Sequence, residues 1–123
     1  MELLNNFFTI KSVETAGESA NYTVSLNAGH AIYKAHFPEM PVTPGVCIIQ
    51  MAVELLSHQL EKKLNIQTIK NVKFLSVISP DETPEVSYSI QGVKEADGMV
   101  EAKVTVASGE KTFAKISLIC KTA

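Results

Sequence analysis

The chain has 123 residues, of which 46% are hydrophobic and 20% charged, with only 6 Gly and 5 Pro. One domain of that size hides roughly two-thirds of its unfolded surface, and the composition excludes collagen-like, low-complexity and disordered chains. Eleven basic against 13 acidic residues give a net charge of −2, which leaves no basic footprint for nucleic acid or an anionic membrane, so neither is expected as a partner.

No apolar run reaches the about 18 residues of a membrane span, and the opening Met1-Glu2-Leu3-Leu4-Asn5-Asn6 puts no basic segment ahead of an apolar one. A single domain over residues 1–123, neither exported nor membrane-inserted, is expected. The two cysteines, Cys47 and Cys120, match neither a zinc spacing nor a disulfide framework, which fits a reducing cytoplasm.

In chain order, residues 7–13 predict a strand, Ala16-Gly17-Glu18 a turn, and the alternation of Tyr22, Val24 and Leu26 a half-buried strand. Residues 44 to about 63 are too long for a strand and rich in helix formers, so they predict the only long helix. Thr43 is expected as its N-cap and Pro44 at its first position, where the missing N–H costs nothing. Residues 66–77 predict another strand, closed by Ser79-Pro80-Asp81. Period-two runs at Val86, Tyr88, Ile90, at Val100, Ala102, Val104, Val106, and from Phe113 to Leu118 complete an antiparallel meander. Ala96-Asp97-Gly98 and Ser108-Gly109 supply its turns. The expected class is α+β, one long helix wrapped by an antiparallel sheet.

Within that helix, apolar residues nearly surround the cylinder. Gln50, Glu54, Ser57 and Glu61 fall within about 60° of one another and form one narrow polar stripe. Upstream lie Pro38, Pro41 and Pro44, a proline at every third position. Each fixes its own φ and pushes its predecessor toward extended geometry, so His36 is held relative to the helix start. In the first turn the N–H groups lack intrahelical acceptors and carry partial positive charge, and Gly45 has no Cβ to keep a ligand away. A base candidate, an anion-stabilising amide and, in Gln50 and Glu54, acid candidates therefore converge on one region.

His36-Phe37-Pro38, Pro41 and Pro44-Gly45-Val46 resemble the H-F-P-G-x-P-x-x-P-G-V signature of the 3-hydroxyacyl-acyl-carrier-protein dehydratases, hot-dog-fold enzymes of fatty acid synthesis. The resemblance covers about 20 contiguous residues, and Val72-Lys73-Phe74 through Pro80-Asp81 look like the family's later strand and turn. It implies a hot-dog fold and removal of water from a 3-hydroxyacyl thioester of acyl carrier protein, giving the trans-2-enoyl product without cofactor or metal. It further implies a homodimer, or an oligomer of dimers, in which His36 of one subunit faces the stripe of the other. His36 would take the α-proton, the Gly45 amide would bind the thioester oxygen, and Phe37 and Val46 would line the substrate. Such an oxyanion donor is worth roughly 3 to 4 kcal/mol.

The chain departs from the pattern where the chemistry needs an acid. The family places a carboxylate fourteen residues after the histidine and a glutamine one turn later, whereas here Gln50 comes first and Glu54 follows. Positions i and i+4 share a face about 6 Å apart along the axis, so Glu54 is expected as the acid from a deeper station and Gln50 as an orienting donor. Ala35 and Glu39 stand where the family usually has glycine.

Two alternatives stay open: a thioesterase in which Glu54 activates water, and a catalytically silent acyl-binding or partner subunit, motivated by Gln50. On periodicity alone, Gln50 and Glu54 read as a solvated stripe. Cys47, near the helix start, is a nucleophile candidate set against an ordinary core cysteine. His30 and His58 read as surface or turn residues, and Lys34, Lys62, Lys63, Lys70 and Lys73 as solvated surface with a hint of an acidic carrier partner.

Overall fold

The computed structural model describes residues 2–35 and 39–123. The chain runs β1 (Phe8–Ala16), β2 (Ser19–Leu26), α1 (Ala31–Ala35), α2 (Gly45–Leu60), β3 (Leu64–Phe74), β4 (Glu85–Ala96), β5 (Met99–Ser108) and β6 (Lys111–Thr122). The six strands of the described residues form one sheet in the order β1-β2-β4-β5-β6-β3, and each of their pairings is antiparallel. The expected α+β class holds, with β1 starting one residue later than predicted and β3 ending three residues earlier. No helix among the described residues is long and apolar enough to cross a membrane.

Alternation places every second side chain of the central strands on one face. Ala20, Tyr22, Val24 and Leu26 of β2, then Val100, Ala102, Val104 and Val106 of β5, then Ala114, Ile116, Leu118 and Cys120 of β6 are all buried. Register keeps the large ones together, with Tyr22 opposite Tyr88 and Val104 opposite both Ile90 and Ile116. Between β4 and β5, Asp97 (φ 53°) and Gly98 (φ 76°) both take the left-handed region, the two-residue turn whose twist suits a hairpin.

Against this face lies α2, burying Cys47, Ile48, Ile49, Met51, Ala52, Val53, Leu55 and Leu56. These side chains share one continuous core with the buried faces of the strands. The helix is shorter than predicted at its C-terminal end, because Glu61 adopts the left-handed conformation (φ 54°) and its amide turns back to the carbonyls of His58 and Ser57. The five-residue α1 escaped the sequence reading. Its start is fixed by His30, whose Nδ1 accepts the Ile32 amide at 3.0 Å.

Crossing from β2 through both helices to β3 at the far edge, and back to β4, brings the segment after β3 against the start of α2. The Thr43 amide donates to the Ile78 carbonyl at 2.8 Å, and Leu26 donates to Pro84 at 2.8 Å. The segment after β3 thereby holds Thr43, just ahead of α2.

Candidate active site

His36 and Phe37 lie outside the described residues, so the site is defined by its two flanks: the first turn of α2 and the polar stripe beyond it. At the first turn the expected capping is corrected. Pro44 is itself the N-cap, with φ −61° and ψ 143°, and Gly45 is the first helical residue. The extended ψ of Pro44 keeps it outside the helix. The Thr43 hydroxyl is committed elsewhere, 2.9 Å from the Tyr33 phenol, with both residues buried.

The amides of Cys47 and Ile48 both donate to the Pro44 carbonyl, at 3.0 and 3.1 Å. Among the described residues nothing accepts from the amides of Gly45 and Val46. Two free donors at the positive end of a sixteen-residue helix form a turn that can hold an anion. The Val46 side chain stands out from it, 67% exposed.

Glycine at 45 has a steric cause. A Cβ there would lie 2.9 Å from Cζ of Phe74, whose ring, at the end of β3, lies over the first turn. Phe74 is thus a member of the site that was not singled out from sequence, although Val72-Lys73-Phe74 belongs to the weaker part of the family resemblance. Tyr33 was missed as well, because its role exists only through contact with Thr43.

On the second flank, Gln50, Glu54 and Ser57 are partly buried along one side of α2, as the periodicity predicts. They line an open groove of about 860 Å³ together with Glu2, Leu4 and His58. Gln50 and Glu54 are brought into direct contact, Nε2 of the amide donating to Oε2 of the carboxylate at 2.9 Å. Glu54 also accepts the Leu3 amide on both oxygens, at 3.0 and 2.9 Å, and the Leu4 amide at 2.7 Å. It therefore ties the N-terminal turn, with Leu3 and Phe7 buried, onto the helix.

The remaining candidates resolve into structural roles. Cys47 is buried, and desolvation pushes its thiol up rather than down, the opposite of what a nucleophile at a helix start requires. His58 is exposed, as expected, yet its Nδ1 lies 2.8 Å from the Tyr22 phenol and its ring meets that tyrosine edge-on at 5.5 Å. Two of the lysines considered for a carrier protein pair within the chain, Lys62 with Glu95 and Lys70 with Glu101.

Three comparisons bear on this arrangement. Residues 12–115 match the family model described as ApeI-like, ApeI dehydratase. The 3-hydroxyacyl-acyl-carrier-protein dehydratase FabZ of Levilactobacillus brevis is 30% identical over 109 residues, 83% of this chain and 72% of that protein. In fold, the chain is similar to a chain of the dehydratase heterocomplex ApeI:P from Xenorhabdus doucetiae, with a TM-score of 0.65, 16% identity and coverage of 91% and 96% of the two chains. It is also similar to a thioesterase-like structure from Syntrophus aciditrophicus, with a TM-score of 0.61, 12% identity and coverage of 97% and 86%. The architecture is the hot-dog fold.

Proposed function

This chain belongs to the ApeI-like family of FabZ-like dehydratases, and from that premise we propose that it removes water from 3-hydroxyacyl thioesters presented by an acyl carrier protein. The observation that carries this reading is the pair of free amides at Gly45 and Val46, nine and ten residues after the motif histidine. His36 takes the proton from the α-carbon, the electron pair moves onto the thioester oxygen, and the Gly45 amide holds the resulting oxyanion. Collapse of that enolate forms the α,β double bond and expels the 3-hydroxyl, which leaves as water with a proton from Glu54. Gln50 orients the leaving group from the same side of the helix. Val46 and Phe37 flank the acyl thioester.

Glu54 serves as the acid only when the Leu3–Leu4 turn frees one of its oxygens, since in this arrangement both are acceptors. That engagement favours a second reading, in which the carboxylate is structural and the chain is an acyl-binding or partner subunit. Carrier-protein thioesters of 3-hydroxybutyrate and crotonate decide between them. Interconversion abolished by His36→Ala supports the dehydratase, release of free thiol supports a thioesterase, and tight acyl binding without turnover supports the silent subunit.

A homodimer is part of the proposal. Among the described residues β3 leaves one edge unpaired, and Ile66, Ile69 and Phe74, continued by Leu75 and Val77, stand exposed along it, a surface that a lone soluble domain rarely presents. Light scattering should give twice the chain mass for the wild type and a single chain mass for Ile69→Lys.

A further inference from the structure

Tyr33 lies in α1 and Thr43 directly precedes the N-cap of α2, ten positions apart. Their hydroxyls meet at 2.9 Å in the interior, with Tyr33 1% and Thr43 4% exposed. Tyr33 is fixed from behind by Phe7, stacked on it at 4.9 Å and 21°, and Thr43 by the hydrogen bond its amide donates to the Ile78 carbonyl. A contact so placed joins the two ends of the segment 34–42, which contains His36 and two of the three motif prolines. We propose that the Tyr33–Thr43 pair is a clasp that positions the first turn of α2, making both residues positioning residues for the reaction inferred above; the catalytic part of the proposal rests on that reading.

Several features make a clasp the better description than a chance core contact. Prolines restrict the segment internally but do not determine the distance between its ends, which needs a contact across the base. A buried hydroxyl pair suits that task because either member left alone would be desolvated without a partner. Desolvation raises the Tyr33 phenol to about 12, so it keeps its proton throughout the working range and the bond is not switched by pH. Thr43 also lies two residues from Gly45, so displacement at 43 passes directly to the free amides.

Tyr33→Phe and Thr43→Val remove the bond with little change of volume, whereas Thr43→Ser keeps the hydroxyl. Tyr88→Phe is the control, since it removes a different buried phenol, the donor to the Ile48 carbonyl at 3.0 Å. Amide exchange at Thr43 and Cys47 should quicken by about tenfold in Tyr33→Phe and Thr43→Val and stay near wild type in Thr43→Ser and Tyr88→Phe. In turnover the first two should lose about tenfold in kcat with KM within about twofold, and the double variant should be no worse than either single one.

Equal exchange in Tyr33→Phe and the wild type, or equal acceleration of these amides in Tyr88→Phe, would overturn the clasp. Should Tyr33→Phe not fold, Thr43→Val against Thr43→Ser gives the same decision. A wild-type protein with no dehydratase turnover would sink the proposed function, and the exchange comparison would still decide the clasp.

Discussion

The first turn of α2 and the stripe two turns further on are parts of one helix and carry opposite polar economies. At Gly45 and Val46 the donors are free and a ring lies over the backbone, whereas at Glu54 four donor contacts from two backbone amides and Gln50 saturate a carboxylate. The difference teaches where to look for chemistry. Polar groups left open at the end of a buried helix are ready for a ligand, while polar groups already satisfied by the chain's own backbone are committed to holding the fold. Any reaction proposed at Glu54 has to compete with structure, and one proposed at Gly45 does not.

The sharpest way to break this contrast is to delete the first-turn donor without deleting the turn. Proline is tolerated at the first helical position, so Gly45→Pro in a Phe74→Ala background, which clears the ring, should leave melting close to that of Phe74→Ala alone. It should lower kcat about 10²- to 10³-fold. Retention of kcat within a few-fold of the background would remove the Gly45 amide from the reaction.

At the stripe the effect should fall mainly on stability. Glu54→Ala strands the Leu3 and Leu4 amides and should cost about 3 kcal/mol in denaturant unfolding, while Glu54→Gln, which keeps an acceptor oxygen, should cost about 1 kcal/mol. If Glu54→Gln also abolishes turnover while the N-terminal turn stays protected from exchange, the carboxylate is the acid after all. If turnover survives, its role is anchoring.

A smaller effect separates the interior behind both regions from the solvent. Burial raises the Cys120 thiol from its ordinary 9.0 to about 11 and the Tyr33 phenol from 10.0 to about 12. Both are neutral acids whose folded values lie above the unfolded ones, so the unfolded chain releases its protons first. Their stabilising contribution is complete below pH 9 and declines as pH rises through 11 for the thiol, and between 10 and 12 for the phenol. Each contributes a slope of about 1.4 kcal/mol per pH unit within its window. Unfolding followed from pH 8 to 11 should be flat at first and then fall, and Cys120→Ala should flatten the onset.

The smallest change is expected at Cys47. Cys47→Ala should leave turnover within about twofold, and the wild-type thiol should label slowly in the folded protein, because burial holds it protonated. A reactive Cys47 would bring a third kind of chemistry to the first turn.

Much of this was legible in the residues. Period-two alternation located β2, β4, β5 and β6, since a strand with one buried face must alternate, and the length and composition of 44–63 distinguished the helix from a buried strand. The contact between Gln50 and Glu54 followed from their spacing of four. What escaped was whatever depends on contact between segments distant in sequence. Thr43 has the chemistry of an N-cap, yet Tyr33 claims its hydroxyl. Glycine at 45 was read as a place where a ligand comes close, and the structure adds that the space a Cβ would take is filled by the Phe74 ring.

The amino-acid order by itself determined the class of fold, the helix among the strands, the polar stripe and the proline-framed approach to Gly45, because each follows from local sterics or from the repeat of helix or strand. Only the tertiary structure decided how the polar groups are used: that the Leu3 and Leu4 amides occupy Glu54, that Tyr33 and Thr43 join the ends of a loop, and that the Gly45 and Val46 amides remain open. A hydrogen bond between distant residues costs chain entropy that only the whole assembled core repays, so its partners are settled by the packing of the sheet on α2 and not by any window of sequence.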